Sequence, residues 1–205
     1  MSTVANDTHP IVTSRRAVLR LGLAGVGTLS LGAVLAAGPP PATAAAPSPK
    51  LDVEVLNYAL LLEEVQAAFY ERALDRGRLG GELREFAEVV VGHEQEHVKL
   101  LRSALGAKAR ATPRFDFGAA VTSPRRFAAA ALQLEDLGVA AYNGQAANLT
   151  RNALIAAARI VSVDARHAAW IRAIQGRPPA RQATDPASTR AEALAAVRKT
   201  GFVKS

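Results

Sequence analysis

The 205-residue chain has no cysteine, one methionine and one tryptophan, and aromatic residues make up only 5% of it. Without Cys it forms no disulfide framework, thiolate metal site, iron–sulfur cluster or Cys nucleophile. Few aromatics beside many Ala argue against a β-sandwich and for close-packed helices. A run of basic residues is also missing, although the formal net charge is +7. Lys and Arg are scattered, with little aromatic interleaving, which describes a solvated basic surface; no nucleic-acid partner is expected. What remains, 49% hydrophobic and 21% charged residues, is the composition of an ordinary globular chain.

Charge is absent altogether between Leu21 and Pro49, after Ser14-Arg15-Arg16-Ala17-Val18-Leu19-Arg20. Small residues close this stretch at Ala42-Thr43-Ala44 and Ala44-Ala45-Ala46, each a candidate cleavage site. The order is that of an export signal, and Arg15-Arg16 resembles the twin-arginine type. Val18 and Arg20 depart mildly from it, and Gly22, Gly25, Gly27 and Gly32 dilute the apolar stretch. The alternative is an uncleaved N-terminal anchor, against which Pro39-Pro40-Pro41 ends the stretch early. Residues 1–44 are therefore expected to be removed after passage through the twin-arginine translocase. That places the protein in the periplasm, the cell envelope or outside the cell. The mature chain, 45–205, loses Arg15, Arg16 and Arg20 against Asp7, so its charge falls from +7 to +5. It has the size of one self-sufficient domain.

Apolar residues then recur at helical spacing from Leu51 to about Arg76, and from about Glu82 to Leu105. A loop over 106–122 precedes Ser123-Pro124, an N-cap followed by Pro at the first helical position. The third helix runs to about Leu149 and the fourth from about Ala153 to Gln175, with a short last one over Ser188–Val197. No segment alternates like a strand, so the fold class is all-α. The halves echo each other: Glu63-Glu64 through Phe69-Tyr70 matches Glu135-Asp136 through Ala141-Tyr142, and Glu94-x-x-His97 matches Asp164-x-x-His167. Two duplicated helix pairs need a long crossover between helices two and three, and the 106–122 loop supplies it.

Partners three, four and seven residues apart share a helix face. Glu63 falls among Leu56, Ala59, Leu60, Ala67 and Tyr70, and Glu94 among Ala87, Val90, Val91, Val98 and Leu101. Glu135 falls among Ala128, Ala131, Leu132, Val139 and Tyr142, and Asp164 among Ala157, Ile160, Val161, Ala168 and Ile171. His97 and His167 lie one turn beyond Glu94 and Asp164. No Lys or Arg interrupts these stripes. One ionised carboxylate buried without a partner costs several kcal/mol even after relaxation. Two divalent cations would balance four carboxylates, and two neutral imidazoles would complete the coordination. Residues three apart stand about 60° around the helix and about 4.5 Å along it, so both can reach one ion. A Glu from each of two helices, with Glu-x-x-His from the other two, is the di-metal constellation of helix bundles.

On these residues the chain is similar to the exported ferritin-like domain proteins, a branch of the ferritin-like superfamily that includes desiccation-related proteins. The likeness spans roughly residues 52–175. It is carried by Leu56-Asn57-Tyr58-Ala59-Leu60 leading to Glu63, Ala67-Ala68-Phe69-Tyr70, Glu94-x-x-His97, Leu134-Glu135-Asp136, Ala140-Ala141-Tyr142 and Asp164-x-x-His167. It implies a ferritin-like four-helix bundle with a non-haem di-metal centre, usually iron or manganese. The implied ligands are Glu63, Glu94, His97, Glu135 and His167, with Asp164 in the remaining place. Asp164 departs from the usual Glu and is one methylene shorter, which shifts, weakens or removes its metal.

Several neighbours have plainer readings. Glu64 shares a side with Asn57 and Glu71 and is expected on a solvated face, as is Glu96 with Lys99. His93 is expected to be packed or partly exposed, and not a ligand. Asp136 either supports the ligands or bonds a neighbouring helix, and Trp170 fills core. Tyr70 and Tyr142, two turns after Glu63 and Glu135, are hydrogen-bond donors to the ligands, redox-active phenols, or core residues with bonded hydroxyls. A metal pair of this kind would react with dioxygen or peroxide, giving ferrous-ion oxidation, peroxide removal or substrate oxidation with electrons from outside. The competing reading is a non-redox structural or binding bundle holding one ion such as zinc, or none, in desiccation or stress protection. A homo-oligomer is compatible with either; nothing specifies a ferritin-type storage shell.

Overall fold

The computed structural model describes residues 46–204, so the export signal read at 1–44 lies outside the described residues. Helix α1 spans Pro49–Asp75, and its start is set by Ser48, whose Oγ accepts the Leu51 N–H at 3.3 Å. Pro49 sits in the first turn, where a missing N–H costs nothing. This cap starts the helix two residues before the expected Leu51. Helix α2 spans Gly81–Leu105 and stops at Gly106, whose φ of 54° few other residues adopt.

Ser123 caps α3, Pro124–Gln145, accepting the Arg126 N–H at 3.4 Å. The helix ends four residues short of the expected Leu149, because Ala146–Asn148 tighten into a 3₁₀ turn. Helix α4 spans Arg151–Ile174. Thr189 and Glu192 form a capping box that opens α5, Arg190–Thr200, so this helix begins later and runs longer than expected. A two-residue antiparallel ladder, β1 (Arg114–Phe115) with β2 (Val203–Lys204), ties the crossover to the tail. The ladder is too short for any alternation to have announced it.

Helix α1 packs chiefly on α2, α3 on α4, and α5 on α3. The all-α ferritin-like bundle expected from the sequence is thus observed, with the 106–122 segment crossing between the helix pairs. The few aromatics are concentrated at one end, where Phe69, Tyr70, Phe86, Phe117 and Phe127 pack together. Leu56, Leu60, Leu101, Leu149 and Ile160 fill the other end. Ala193 and Val197 of α5 seal Tyr58, Leu62 and Ala141. Among the described residues no helix is long and apolar enough to cross a membrane.

The crossover is pinned to α1, which corrects the solvated reading of Glu64. Asn57 donates to the Lys108 carbonyl at 2.9 Å and accepts the Arg110 N–H at 2.7 Å. Glu64 is buried, and it bonds Arg102, Arg110 (3.2 Å) and the Thr112 hydroxyl (2.8 Å). The crossover covers the face that periodicity alone assigns to water, and its cations neutralise the acid it covers.

Candidate metal centre

Between the two apolar ends, each long helix of the bundle turns its carboxylate inward. Glu63 of α1, Glu94 of α2, Glu135 of α3 and Asp164 of α4 are all fully buried, as nearly are His97 and His167. His97 Nδ1 lies 3.2 Å from Glu63 Oε2, 3.2 Å from Glu94 Oε2 and 3.5 Å from Asp164 Oδ1. His167 Nδ1 lies 3.0 Å from Glu94 Oε1 and 3.3 Å from Glu135 Oε2. The structure therefore brings all six residues together. They form two sets, each compact enough to surround one ion: Glu63, Glu94, His97 and Asp164, and Glu94, Glu135 and His167. Glu94 belongs to both, one oxygen facing each imidazole. Asp164, the residue that departs from the sequence pattern, joins the first set and leaves the second with three members.

Tyrosines and an amide surround the acids. Tyr142 of α3 donates to Glu63 Oε1 of α1 at 2.6 Å, and Tyr70 of α1 donates to Glu135 Oε1 of α3. Each phenol thus bonds the carboxylate of the opposite helix pair, not the one two turns before it. Both rings also lie in the apolar clusters, so the core residue with a bonded hydroxyl and the donor to a candidate ligand are the same arrangement here. Gln66, also buried, donates to Glu135 Oε1 at 3.2 Å and was not singled out in the sequence. Its signal was present: Gln66 follows Glu63 by three residues, as Gly138 follows Glu135. Gly138 faces that amide, and a Cβ there would stand in ordinary contact with Gln66 Oε1, at 3.5 Å.

The electrostatics are those of too much negative charge in too little water. Burial pushes the Glu94 carboxyl well above its usual range, and the charge of Glu63 pushes it further. Burial does the same to Asp164, with Glu63, Glu94 and Glu135 adding to it. At Glu63 burial also opposes ionisation, but the hydrogen bond from His97 leads a set of contacts that hold its carboxyl below the usual range. Burial disfavours the His97 cation, yet Glu63 and Glu94 raise its pKa to about 11. Burial first, then Glu135 for Tyr70 and Glu63 for Tyr142, pushes both phenols up, so they remain neutral donors.

Even so, the cluster is not satisfied internally. Glu94 Oε1, Glu135 Oε2, both Asp164 oxygens and His167 Nδ1 are buried without a hydrogen-bond partner. Buried polar atoms rarely stay unpaired, and although Tyr58 Oη, Gln66 Oε1 and Arg172 Nε are also without partners, these five share one cluster and are metal-donor types. The residues present are of the types that could hold a metal ion, which would offset the acids' charge and occupy these atoms.

The surrounding residues divide as their contacts dictate. Glu96 is exposed and pairs with Lys99 at 2.6 Å, as expected. Asp136 bonds Arg172 of α4, which settles its role as a tie between helices. Trp170 is half-buried; it packs edge-on against Phe86 and donates to Glu82 at 3.1 Å. His93 is exposed, more so than the packed or partly exposed position expected, and its Nδ1 lies 2.9 Å from His167 Nε2.

A helical bundle with paired carboxylate–imidazole sets at its centre defines the class. Residues 51–177 match the model of the ferritin-like domain, and the chain belongs to that family. No curated protein matches the chain.

Proposed function

We propose that this is an exported ferritin-like protein that holds two divalent ions, iron or manganese, and acts as an oxidase, ferroxidase or peroxide scavenger in envelope stress. The observation that carries the reading is the group of unpartnered donor atoms on Glu94, Glu135, Asp164 and His167, buried in one cluster. Glu63, His97, Glu94 and Asp164 would hold one ion, and Glu94, Glu135 and His167 the other. When bound, such a pair supplies electron transfer to dioxygen or peroxide.

The chain's own residues do the rest. Glu94 ties the two sets together. Tyr142 and Tyr70 hold Glu63 and Glu135 by hydrogen bonds that fix which oxygen of each faces inward. The apolar ends of the bundle flank the cluster and raise the strength of the charge interactions in it. With no Cys in the chain, reducing equivalents come from an external donor. The Arg15-Arg16 signal supports export of a folded protein already loaded with metal.

A second reading has its own observation. Because Asp164 joins the first set, the second has only three members, which favours a non-redox bundle with a single ion such as zinc. The test is to load the protein anaerobically with ferrous ion and follow its spectrum on adding oxygen or hydrogen peroxide. The first reading expects an oxidant-dependent absorbance change that is lost in a Glu94→Ala, His97→Ala variant. A spectrum indifferent to both oxidants would leave the second.

A further inference from the structure

The two candidate imidazoles do not have equivalent surroundings. Between α2 and α4 a cleft of about 440 Å³ opens beside them, lined by Val89, His93, His97, Val163, His167 and Trp170 among others. The duplication that relates His97 to His167 by seventy residues also relates His93 to Val163. On α2 that position carries an imidazole, and on α4 a hydrocarbon. His93 Nδ1 reaches His167 Nε2 at 2.9 Å, with the ring planes 12° apart and the centroids 5.2 Å apart. An approach of 2.9 Å is shorter than the spacing of stacked faces, about 3.5 Å. The two rings are therefore nearly coplanar and joined edge to edge by an N–H···N bond.

We infer that His93 is a positioning residue for His167: its Nδ1 accepts the proton on His167 Nε2 and holds His167 Nδ1 as a lone pair facing Glu94 and Glu135. The inference rests on the metal-binding reading, and the geometry selects this tautomer. His167 Nδ1 lies close to Glu94 Oε1 and Glu135 Oε2 yet makes a hydrogen bond to neither. A proton on that atom would point between the two oxygens and be directed at neither. A lone pair there is a donor aimed between two carboxylates, as a metal ligand requires. Groups that bond the far nitrogen of a ligating histidine fix its tautomer and orientation, and their loss typically lowers metal affinity 10–100-fold. Here the partner is a second, exposed imidazole, and it serves one set only.

The test compares wild type with His93→Phe and His93→Asn. The Asn amide oxygen stands near the position of Nδ1 and can accept the same proton. Zinc affinity is measured by competition with a chromophoric chelator, and the His167 tautomer by ¹⁵N NMR of the zinc-loaded protein. Wild type should bind two zinc ions with His167 protonated on Nε2. His93→Phe should weaken one ion 10–100-fold and leave the other unchanged, and His93→Asn should restore most of the loss. Unfolding curves of the metal-free proteins check that the exposed substitution leaves the fold intact. If His93→Phe binds both ions like wild type, or His167 carries its proton on Nδ1, the inference is overturned while the metal reading stands. Wild type that takes up no zinc overturns both.

Discussion

Replacing Glu94 by Gln should stabilise the metal-free protein and abolish most of the stabilisation that metal gives. Glu94 is fully buried beside Glu63, and burial followed by that neighbour's charge pushes its carboxyl well up. The least costly metal-free state protonates it. For a carboxyl that ordinarily titrates near ~4.3, protonation at pH 7 costs about 3.7 kcal/mol at ~1.36 kcal/mol per unit. Gln avoids that cost and keeps an oxygen to accept from His97 Nδ1, now 3.2 Å from Glu94 Oε2. It replaces the contacts of a neutral carboxyl with those of an amide of similar shape, a loss of about 1 kcal/mol in hydrogen-bond geometry. The net gain is about 1–3 kcal/mol, which for a domain of this size raises Tm by roughly 3–10 °C. With metal present the order reverses. Wild type gains about 2.7 kcal/mol per ion at a hundredfold excess over Kd, whereas the variant has lost the carboxylate common to both sets. The assay is thermal unfolding of both proteins, chelator-treated and metal-saturated. A Glu94→Gln variant less stable than wild type in both conditions would refute the reasoning and make Glu94 an ordinary internal ion-pair partner.

Three further outcomes follow from the packing and the charges. The raised carboxyls of Glu94 and Asp164 and the raised imidazole of His97 mean that the folded metal-free protein binds more protons than the unfolded chain between pH 5 and 8. Its stability should therefore fall as pH rises across that window, while the lowered Glu63 contributes its change only below it. Metal-loaded protein should show the opposite trend, because ligands bind when deprotonated; metal-free melting temperatures that climb from pH 5 to 8 would contradict this. A Cβ at Gly144 would stand 1.8 Å from the Ser188 carbonyl oxygen, so Gly144→Ala should displace the tail before α5 and cost about 1–3 kcal/mol in denaturant unfolding. Glu64→Gln should destabilise by about 1–2 kcal/mol, less than a fully buried pair, because Arg102 and Arg110 are each about a third exposed; an unchanged unfolding midpoint would show that the crossover needs no such anchor.

The bundle was legible because its helices keep strict apolar stripes between Pro, Ser and Gly boundaries. The central cluster was legible because acids interrupt those stripes at matching places in both halves. A carboxylate on an apolar stripe is a conflict that a sequence exposes by itself. What stayed hidden depended on segments whose path has no period. Glu64 reads as solvated until the 106–122 crossover is laid over it with Arg110 and Thr112. Gln66 and His93 carry no local conflict, and their roles emerge only when Glu135 and His167 arrive from the other helix pair. The tyrosines lie on the expected faces, but their bonding across the pairs is set by helix packing, which spacing does not encode. The short β1–β2 ladder joins residues too far apart in sequence, and too few, to leave a pattern.

The central claim is that the buried carboxylates and imidazoles exist to hold two metal ions. The most direct test is elemental analysis of the mature protein purified from the exported fraction, beside the Glu94→Ala, His97→Ala variant. The account predicts about two iron or manganese ions per chain, lost together in the variant that removes the shared carboxylate. Protein with no metal, or with one zinc ion that the variant retains, would contradict it.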